Sequence, residues 1–327
     1  MAFRLKLVPE VTHWDFFKHA RYTFGLSVFL VIASIIVTMV MGLNFGIDFK
    51  GGTTIRTEST QAVDVGEYRA ALAQLDLGDV SITEVFDPAF GANKHVAMVR
   101  IQAQADAEAI TPEVVNQVEA ALQTVDPSMT FPSVESVGPK VSGELIKTAL
   151  LSVLAATAAI VVYVWLRFEW QFAVGAVAAL VHDVVATVGI FALFQIKFDL
   201  TIIAALLTIL GYSINDTVVV FDRLRENLIK YKTMPLRDVM NLAVNETLSR
   251  TVMTSGTTLV ALIALLVLGG DVIRGFVFAI TWGIVLGTYS SVFVAKNVVL
   301  FIGLNRSEKK KPTGDEQFFT EKTDAAD

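Results

Sequence analysis

Long apolar runs broken by short polar stretches set the pattern of this chain. Runs at 22–43, 148–166, 172–194, 200–221, 251–268 and 276–304 are each long and apolar enough for a membrane-spanning helix, which needs about 20 residues at a rise of about 1.5 Å each. The first run is too long for the apolar part of a secretion signal, and no small-residue cleavage site follows it. It therefore predicts a retained span.

Between the first and second runs the period changes. A strand is predicted at 53–57 and a helix over 64–75, where Ala70, Leu72 and Leu75 fall near helical spacing. Strands follow at 80–86 and 95–102, the second alternating through Val96 and Met98. Thr111, then Pro112 and Glu113, give a helix start, and the last strand fits 131–137. The order βαββαβ predicts a ferredoxin-like α+β sandwich within 44–147.

A second change comes at 232–249. Leu236, Val239, Met240, Ala243, Val244 and Thr247 recur at helical spacing after Thr233 and Pro235. This predicts an amphipathic helix lying on the inner leaflet, the other reading being a cytoplasmic helix packed on a partner. The tail at 305–327 is polar apart from Phe318 and Phe319, and is expected to be disordered.

Charge orients these elements. Arg4, Lys6, Lys18 and Arg21 precede the first run, and Arg167 separates the second from the third. Arg223, Arg225, Lys230, Lys232, Arg237 and Arg250 lie between the fourth and fifth; Arg306, Lys309, Lys310 and Lys311 follow the sixth. Six spans place all of these on one side. The opposite short loops hold only Lys197 with Asp199, and Asp271 with Arg274. The positive-inside rule then expects 1–21 and the tail in the cytoplasm and 44–147 outside.

Composition agrees. The 327 residues are 54% hydrophobic and 18% charged, against about one-quarter charged in soluble domains. This is the balance of a polytopic α-helical membrane protein with some aqueous mass. The chain has no cysteine, which excludes disulfides, thiolate metal sites and cysteine nucleophiles. A net charge of -6 argues against a general nucleic-acid binder. Much of the acidic excess sits in the external domain, at Asp64, Glu67, Asp76, Asp79, Glu84 and Asp87. His13, His19, His95 and His182 are too scattered for a metal site, so no metal, cofactor or hydrolytic centre is expected.

The costly residues are the ionisable ones inside the spans. Asp216, in GYSINDTVVVFDRLREN, lies six residues before Asp222, roughly 9 Å inside the charged boundary. An aspartate at mid-span costs roughly +2.5 to +3.5 kcal/mol on insertion scales, so it must protonate or find a donor. Arg250 opens the fifth run, antiparallel to the fourth, which makes an ion pair with Asp216, direct or through water, geometrically plausible. The bland alternatives are an interface-anchoring arginine and a structural carboxylate satisfied by Ser213, Asn215 or a neighbouring helix. His182 and Asp183, in the middle of the third run, fit either a second relay or a helix–helix hydrogen-bond fixture. Thr254 and Ser255 suit helix packing, or the lining of a narrow wet path beside Asp216. Gly283 and Gly287 form a small-xxx-small face for close helix contact. A protonatable carboxylate beside a cation points to energy coupling, since one charge moved through 100 mV gains about 2.3 kcal/mol. Nothing in this argument names a cargo.

Several stretches together resemble the SecF family, the smaller half of the SecD–SecF protein-translocation accessory complex. They are LNFGIDFKGGT at 43–53, GYSINDTVVVFDRLREN at 211–227 and SRTVMTSGTTL at 249–259, with VGPKVSGEL at 137–145 and ALVHD at 179–183. The resemblance covers essentially the whole chain except the tail. It implies the six-span half of a resistance-nodulation-division transporter fold, paired with a homologous SecD half as a parallel repeat. It also implies work beside the SecYEG channel, with YajC as a further companion, using the proton-motive force to draw unfolded preproteins across the bacterial inner membrane. The family's proton-coupling pair falls on Asp216 and Arg250, and Asp183 matches a family-typical position. Gly46, Asp48, Gly51 and Gly52 resemble the family's junction between first span and external domain. The glycine pair invites a phosphate-loop reading, but without GKS/T or a following helix a motion-transmitting turn is the better expectation. Two other classes compete: half of a proton-driven small-molecule exporter, and a non-transporting scaffold of a channel complex. Exporters of this superfamily usually carry both halves and two large external domains in one chain.

Overall fold

A computed structural model describes residues 9, 12–86, 94–102 and 111–304. The tail at 305–327, expected to be disordered, lies outside the described residues. Among the described residues six helices are long and apolar enough to cross a membrane. They are α1 (Ala20–Met41), α5 (Pro139–Arg167), α6 (Trp170–Leu193), α7 (Leu200–Lys230), α8 (Leu236–Leu268) and a last span formed by α9 (Asp271–Ser290), a π-helical turn (Ser291–Ala295) and α10 (Lys296–Ile302). Between α1 and α5 lie the short α2 (Ile47–Lys50), β1 (Gly52–Ser59), α3 (Val65–Leu72) continued by a 3-10 turn (Ala73–Leu75), β2 (Val80–Val85), β3 (His95–Gln102), α4 (Pro112–Gln123) and β4 (Thr130–Val137).

The sheet runs β2-β3-β1-β4 with every neighbouring pair antiparallel. β1 and β2 are thus parallel with β3 between them, the split βαβ arrangement that the element order predicts. Asp64 caps α3 by accepting from Gly66 N at 2.7 Å and Glu67 N at 3.1 Å. Tyr68 and Leu72 of α3 and Val118 and Leu122 of α4 bury against Ile55, Val99 and Ile101 of the sheet. The opposite face of the sheet, with Met98 and Arg100, looks onto the ends of the spans across a cavity of ≈ 900 Å³.

In the bundle, α6, α7 and the last span are central. Within their most apolar windows 56%, 44% and 56% of residues are buried, against 11% in each of α1, α5 and α8. Glycines make the central contacts close. A Cβ on Gly283 would fall 2.3 Å from Ile209, and one on Gly287 3.1 Å from Ser213, so the last span sits tightly on α7 along the GIVLG face.

Three expected boundaries change. The second span starts nine residues before 148, because α5 runs straight out of the segment after β4. The fourth extends nine residues beyond 221, its charged end tied down by Arg223–Glu246 and Arg167–Asp222 ion pairs, each at 2.7 Å. The third change is a correction. The segment 232–249 is neither an interfacial helix nor a separate one: from Leu236 onward it is the first half of α8, continuous with the fifth span. No proline interrupts it after Pro235, and its apolar face is covered by the chain itself: Val239, Met240 and Ala243 join the core cluster that holds Phe172 and Phe221.

Candidate functional site

α6 and α7 each bring one carboxylate into the centre of the bundle. Asp183 is 0% exposed and fully partnered. Its Oδ1 meets His182 Nδ1 at 2.9 Å, and its Oδ2 accepts from Ser213 Oγ of α7 at 2.6 Å and Ser290 Oγ of α9 at 2.8 Å. The carboxylate therefore joins the three central helices at one point. This is the geometry of a helix–helix hydrogen-bond fixture, the second of the roles open for Asp183. His182 contributes through Nδ1, while its Nε2 has no partner among the described residues and its ring lies 5.9 Å from that of Tyr289.

Asp216 is placed differently. It is 3% exposed, and its Oδ2 has no hydrogen-bond partner among the described residues. The groups that act on its charge are the Arg250 guanidinium and the Ser255 hydroxyl, both from α8. The direct Asp216–Arg250 ion pair is not formed: among the described residues no salt bridge joins them, and Arg250 is exposed at the side of α8. Arg250 has a long side chain whose charged head reaches water, and it stands at the rim without contacting the carboxylate.

The supporting residues divide in the same way. Ser213 turns to Asp183, not Asp216, and Asn215 is exposed. Of the donors expected for a structural Asp216, Ser213 and Asn215 therefore fall away, which leaves only the neighbouring helix α8, through Ser255. Ser255 is buried and shares a hydrogen bond with Thr288 of α9 at 2.7 Å. Thr254 is exposed and bonds back to the carbonyls of Arg250 and Thr251 at 3.1 and 3.0 Å. Asp216 thus keeps one buried oxygen free, a costly state for an ionised carboxylate and one that a bound proton relieves.

The junction stretch is built onto the same helix. Gly46 N donates to Phe198 O at 2.8 Å, and Phe198 N to Asn44 O at 2.8 Å, just before α7 begins. Asp48 Oδ2 accepts from Leu200 N at 3.1 Å and Asp199 from Thr201 N at 3.1 Å, so α7 has two acidic caps, one of them supplied by the junction. Gly51 (φ 75) and Gly52 (φ 134) take the left-handed backbone that lets α2 turn directly into β1. A further tie lies at the other edge of the sheet: Phe86 N donates to Asp271 Oδ2 at 2.6 Å, and Asp271 N returns a bond to Phe86 O at 2.8 Å.

Sequence reasoning passed over Ser290, Asn241, Asn245 and Lys296. Lys296 had a readable signal, since it is a charge inside the run 276–304 and carries the same insertion cost as Asp216. The serine and the asparagines had none, because their partners are more than 100 residues away in the chain.

A six-span bundle with two buried carboxylates, carrying a small split-βαβ sheet on its first connection, defines the class of multi-pass membrane transport subunits. Residues 117–305 match the family described as protein export membrane protein SecD/SecF, C-terminal, and residues 36–63 match the SecD/SecF GG motif. The protein translocase subunit SecF of Cereibacter sphaeroides is 74% identical over 311 residues, covering 95% of this chain and 96% of that protein. That of Rhodobacter capsulatus is 67% identical over 332 residues, covering 100% of both. Among solved structures, SecDF from Thermus thermophilus, a translocon-associated membrane protein, superposes with a TM-score of 0.79 at 35% identity over 90% of this chain. SecDF in a super-membrane-facing form gives 0.67 at 34% identity over 99%. The present chain spans only 39% and 41% of those two SecDF chains. It belongs to the SecF branch of the SecD/SecF family of protein-export membrane proteins.

Proposed function

We propose that this chain pairs with a SecD half and uses the proton-motive force, through Asp216, to assist preprotein translocation by SecYEG and release on the periplasmic side. The observation that carries the reading is the free, buried oxygen of Asp216 at mid-span. An ionised carboxylate there is expensive and a protonated one is not, so each proton taken up or released changes how α7 packs against α8 and α9. One or two protons crossing the membrane supply enough to shift an equilibrium separated by a few kcal/mol. Arg250, at the rim, biases which state Asp216 holds. The family relationship, not the geometry, supplies the cargo.

The clustered positive charges at the ends of α5, α7 and the last span orient the bundle with both ends in the cytoplasm of a bacterial inner membrane and the sheet in the periplasm. α1, α5 and α8 keep largely uncovered apolar faces, room for the paired half, the SecYEG channel and YajC as well as lipid. The work requires no hydrolytic site in this chain.

The test is Asp216→Asn at the natural locus, with pulse-chase measurement of preprotein accumulation under an imposed proton gradient. Export should slow while the protein stays in the membrane at its normal level and still co-purifies with its SecD half. Export at the unaltered rate would remove Asp216 from energy coupling.

A further inference from the structure

Lys296 begins α10, directly after the π-helical turn, and is 1% exposed. Its Nζ has no hydrogen-bond partner among the described residues. It lies instead over three rings, 4.0 Å from the centroid of Phe17, 5.1 Å from Phe16 and 5.4 Å from Phe293. Two of these rings come from the segment before α1, which is fastened across the bundle by side-chain amides of α8. Asn245 takes Thr12 Oγ1 and Trp14 N on Oδ1, each at 2.8 Å, and gives Nδ2 to Trp14 O at 2.9 Å. One turn earlier, Asn241 takes Phe16 N and also gives to Trp14 O, each at 2.9 Å. Arg237 pairs with Asp15 at 3.0 Å. Asp15 is the carboxylate that acts on Lys296, and it is already engaged with Arg237.

The position of the cage matters. Ser290, which binds Asp183, is six residues before Lys296 on the same span, and Thr288, which binds Ser255 beside Asp216, is eight before it. At about 1.5 Å per residue the Lys296 backbone therefore lies roughly 9 to 12 Å further along the span than Ser290 and Thr288, toward the end that carries Thr12 and Leu304. The core around it is apolar, with Phe172, Phe221 and Val299 packed beside Phe17. As a structural fixture a buried lysine with no acceptor among the described residues is poor, because an apolar side chain would fill the cage without losing hydration. What an apolar side chain lacks is a charge that opposes a second cation entering the same narrow layer.

We propose that Lys296, held in its cage by segment 12–17, is the gate that closes the cytoplasmic route to Asp216. Cation–π contact with the three rings keeps the charge in place, and the Asn241–Asn245 fastening keeps the rings there. Undocking of the segment lets Lys296 swing out to water and opens the route. The inference rests on the proton-coupling reading and on the orientation given above.

The experiment uses the full chain with its SecD half in proteoliposomes, following passive proton entry with an internal pH dye. Variants are Lys296→Gln, the double variant Asn241→Ala with Asn245→Ala, which leaves the lysine in place, and each combined with Asp216→Asn. The gate predicts roughly tenfold faster proton entry in the first two, abolished in the combinations. Wild-type entry in both would overturn the gate, as would fast entry that persists with Asp216→Asn. The coupling reading is scored separately, by the export defect of Asp216→Asn alone. If Lys296→Gln fails to accumulate, the asparagine pair decides the matter.

Discussion

Asp48 of the junction stretch caps the helix that carries Asp216, its carboxylate accepting from Leu200 N at 3.1 Å. The first turn of a helix has unsatisfied N–H groups and a partial positive charge, so an acidic acceptor there stabilises it by about 1 kcal/mol. This cap comes from a segment that continues through Gly51 and Gly52 into β1 of the sheet. The bond therefore links the sheet to the titratable span without any intervening side-chain chain of contacts. Asp48→Ala should raise amide exchange in the first turn of α7 and slow export, with membrane insertion unchanged. Asp48→Asn, which keeps an acceptor, should fall between. Unchanged exchange at 200–203 in the alanine variant would show that Asp199 alone holds the helix end.

Close approach of the last span to α7 gives a second expectation. A Cβ at Gly283 would meet Ile209 at 2.3 Å, a distance that packed atoms do not tolerate. Gly283→Ala should lower the stability of the detergent-solubilised protein by about 1–3 kcal/mol, the usual cost of overpacking. Ile209→Ala opens the matching space, so the double variant should recover much of the loss. Additive losses instead of recovery would mean that the two helices do not meet there.

Spans and sheet were legible in the sequence because their signals are local: apolar length for the spans, alternation and a capped start for the sheet and α4. The helix over 232–249 was legible as a helix, but its surroundings were not. Its apolar stripe fits a bilayer surface as well as a protein, and the choice is made by Val239, Met240 and Ala243 meeting distant parts of the chain. The site shows the same limit. The depth of Asp216 follows from its distance to Asp222. That Ser213 serves Asp183, and that Ser290 joins it, depends on three helices meeting at one level.

The sheet domain has its own acid sensitivity. Hydrogen bonds from the Ser59 and Ser128 side chains and the Ser128 backbone hold Asp126 below the ordinary carboxylate range, and contact with Lys94, then Arg56, does the same for Glu58. A group whose pKa falls on folding adds stability above its unfolded value, near 4 for a carboxylate, and loses it as pH drops through the folded value. Hydrogen-exchange protection in β1 and α4 of the full chain, corrected for the intrinsic exchange rate at each pH, should therefore stay flat from pH 7 to about 5 and fall below about 4. Asp126→Asn should flatten part of that acid limb. An unchanged limb in this variant would assign the acid loss to other groups.

The two buried carboxylates should respond oppositely to the same chemical change. Asp183 has both oxygens occupied, by His182 on one and by Ser213 and Ser290 on the other. Asp183→Ala strands the buried Ser213 hydroxyl and an imidazole, each worth about 1–3 kcal/mol when left unpaired, and leaves Ser290 only the Gly287 carbonyl at 3.2 Å, so the bundle should lose stability first and export as a consequence. Asp183→Asn keeps one acceptor for the serines and should recover a good part of both. Asp216 has an oxygen with no partner among the described residues, so Asp216→Asn removes a charge that costs the folded state energy. That variant should be at least as stable as the natural protein in thermal unfolding and yet defective in export. A loss of stability in Asp216→Asn comparable to that of Asp183→Ala would make Asp216 a structural carboxylate, and its free oxygen would then need another explanation.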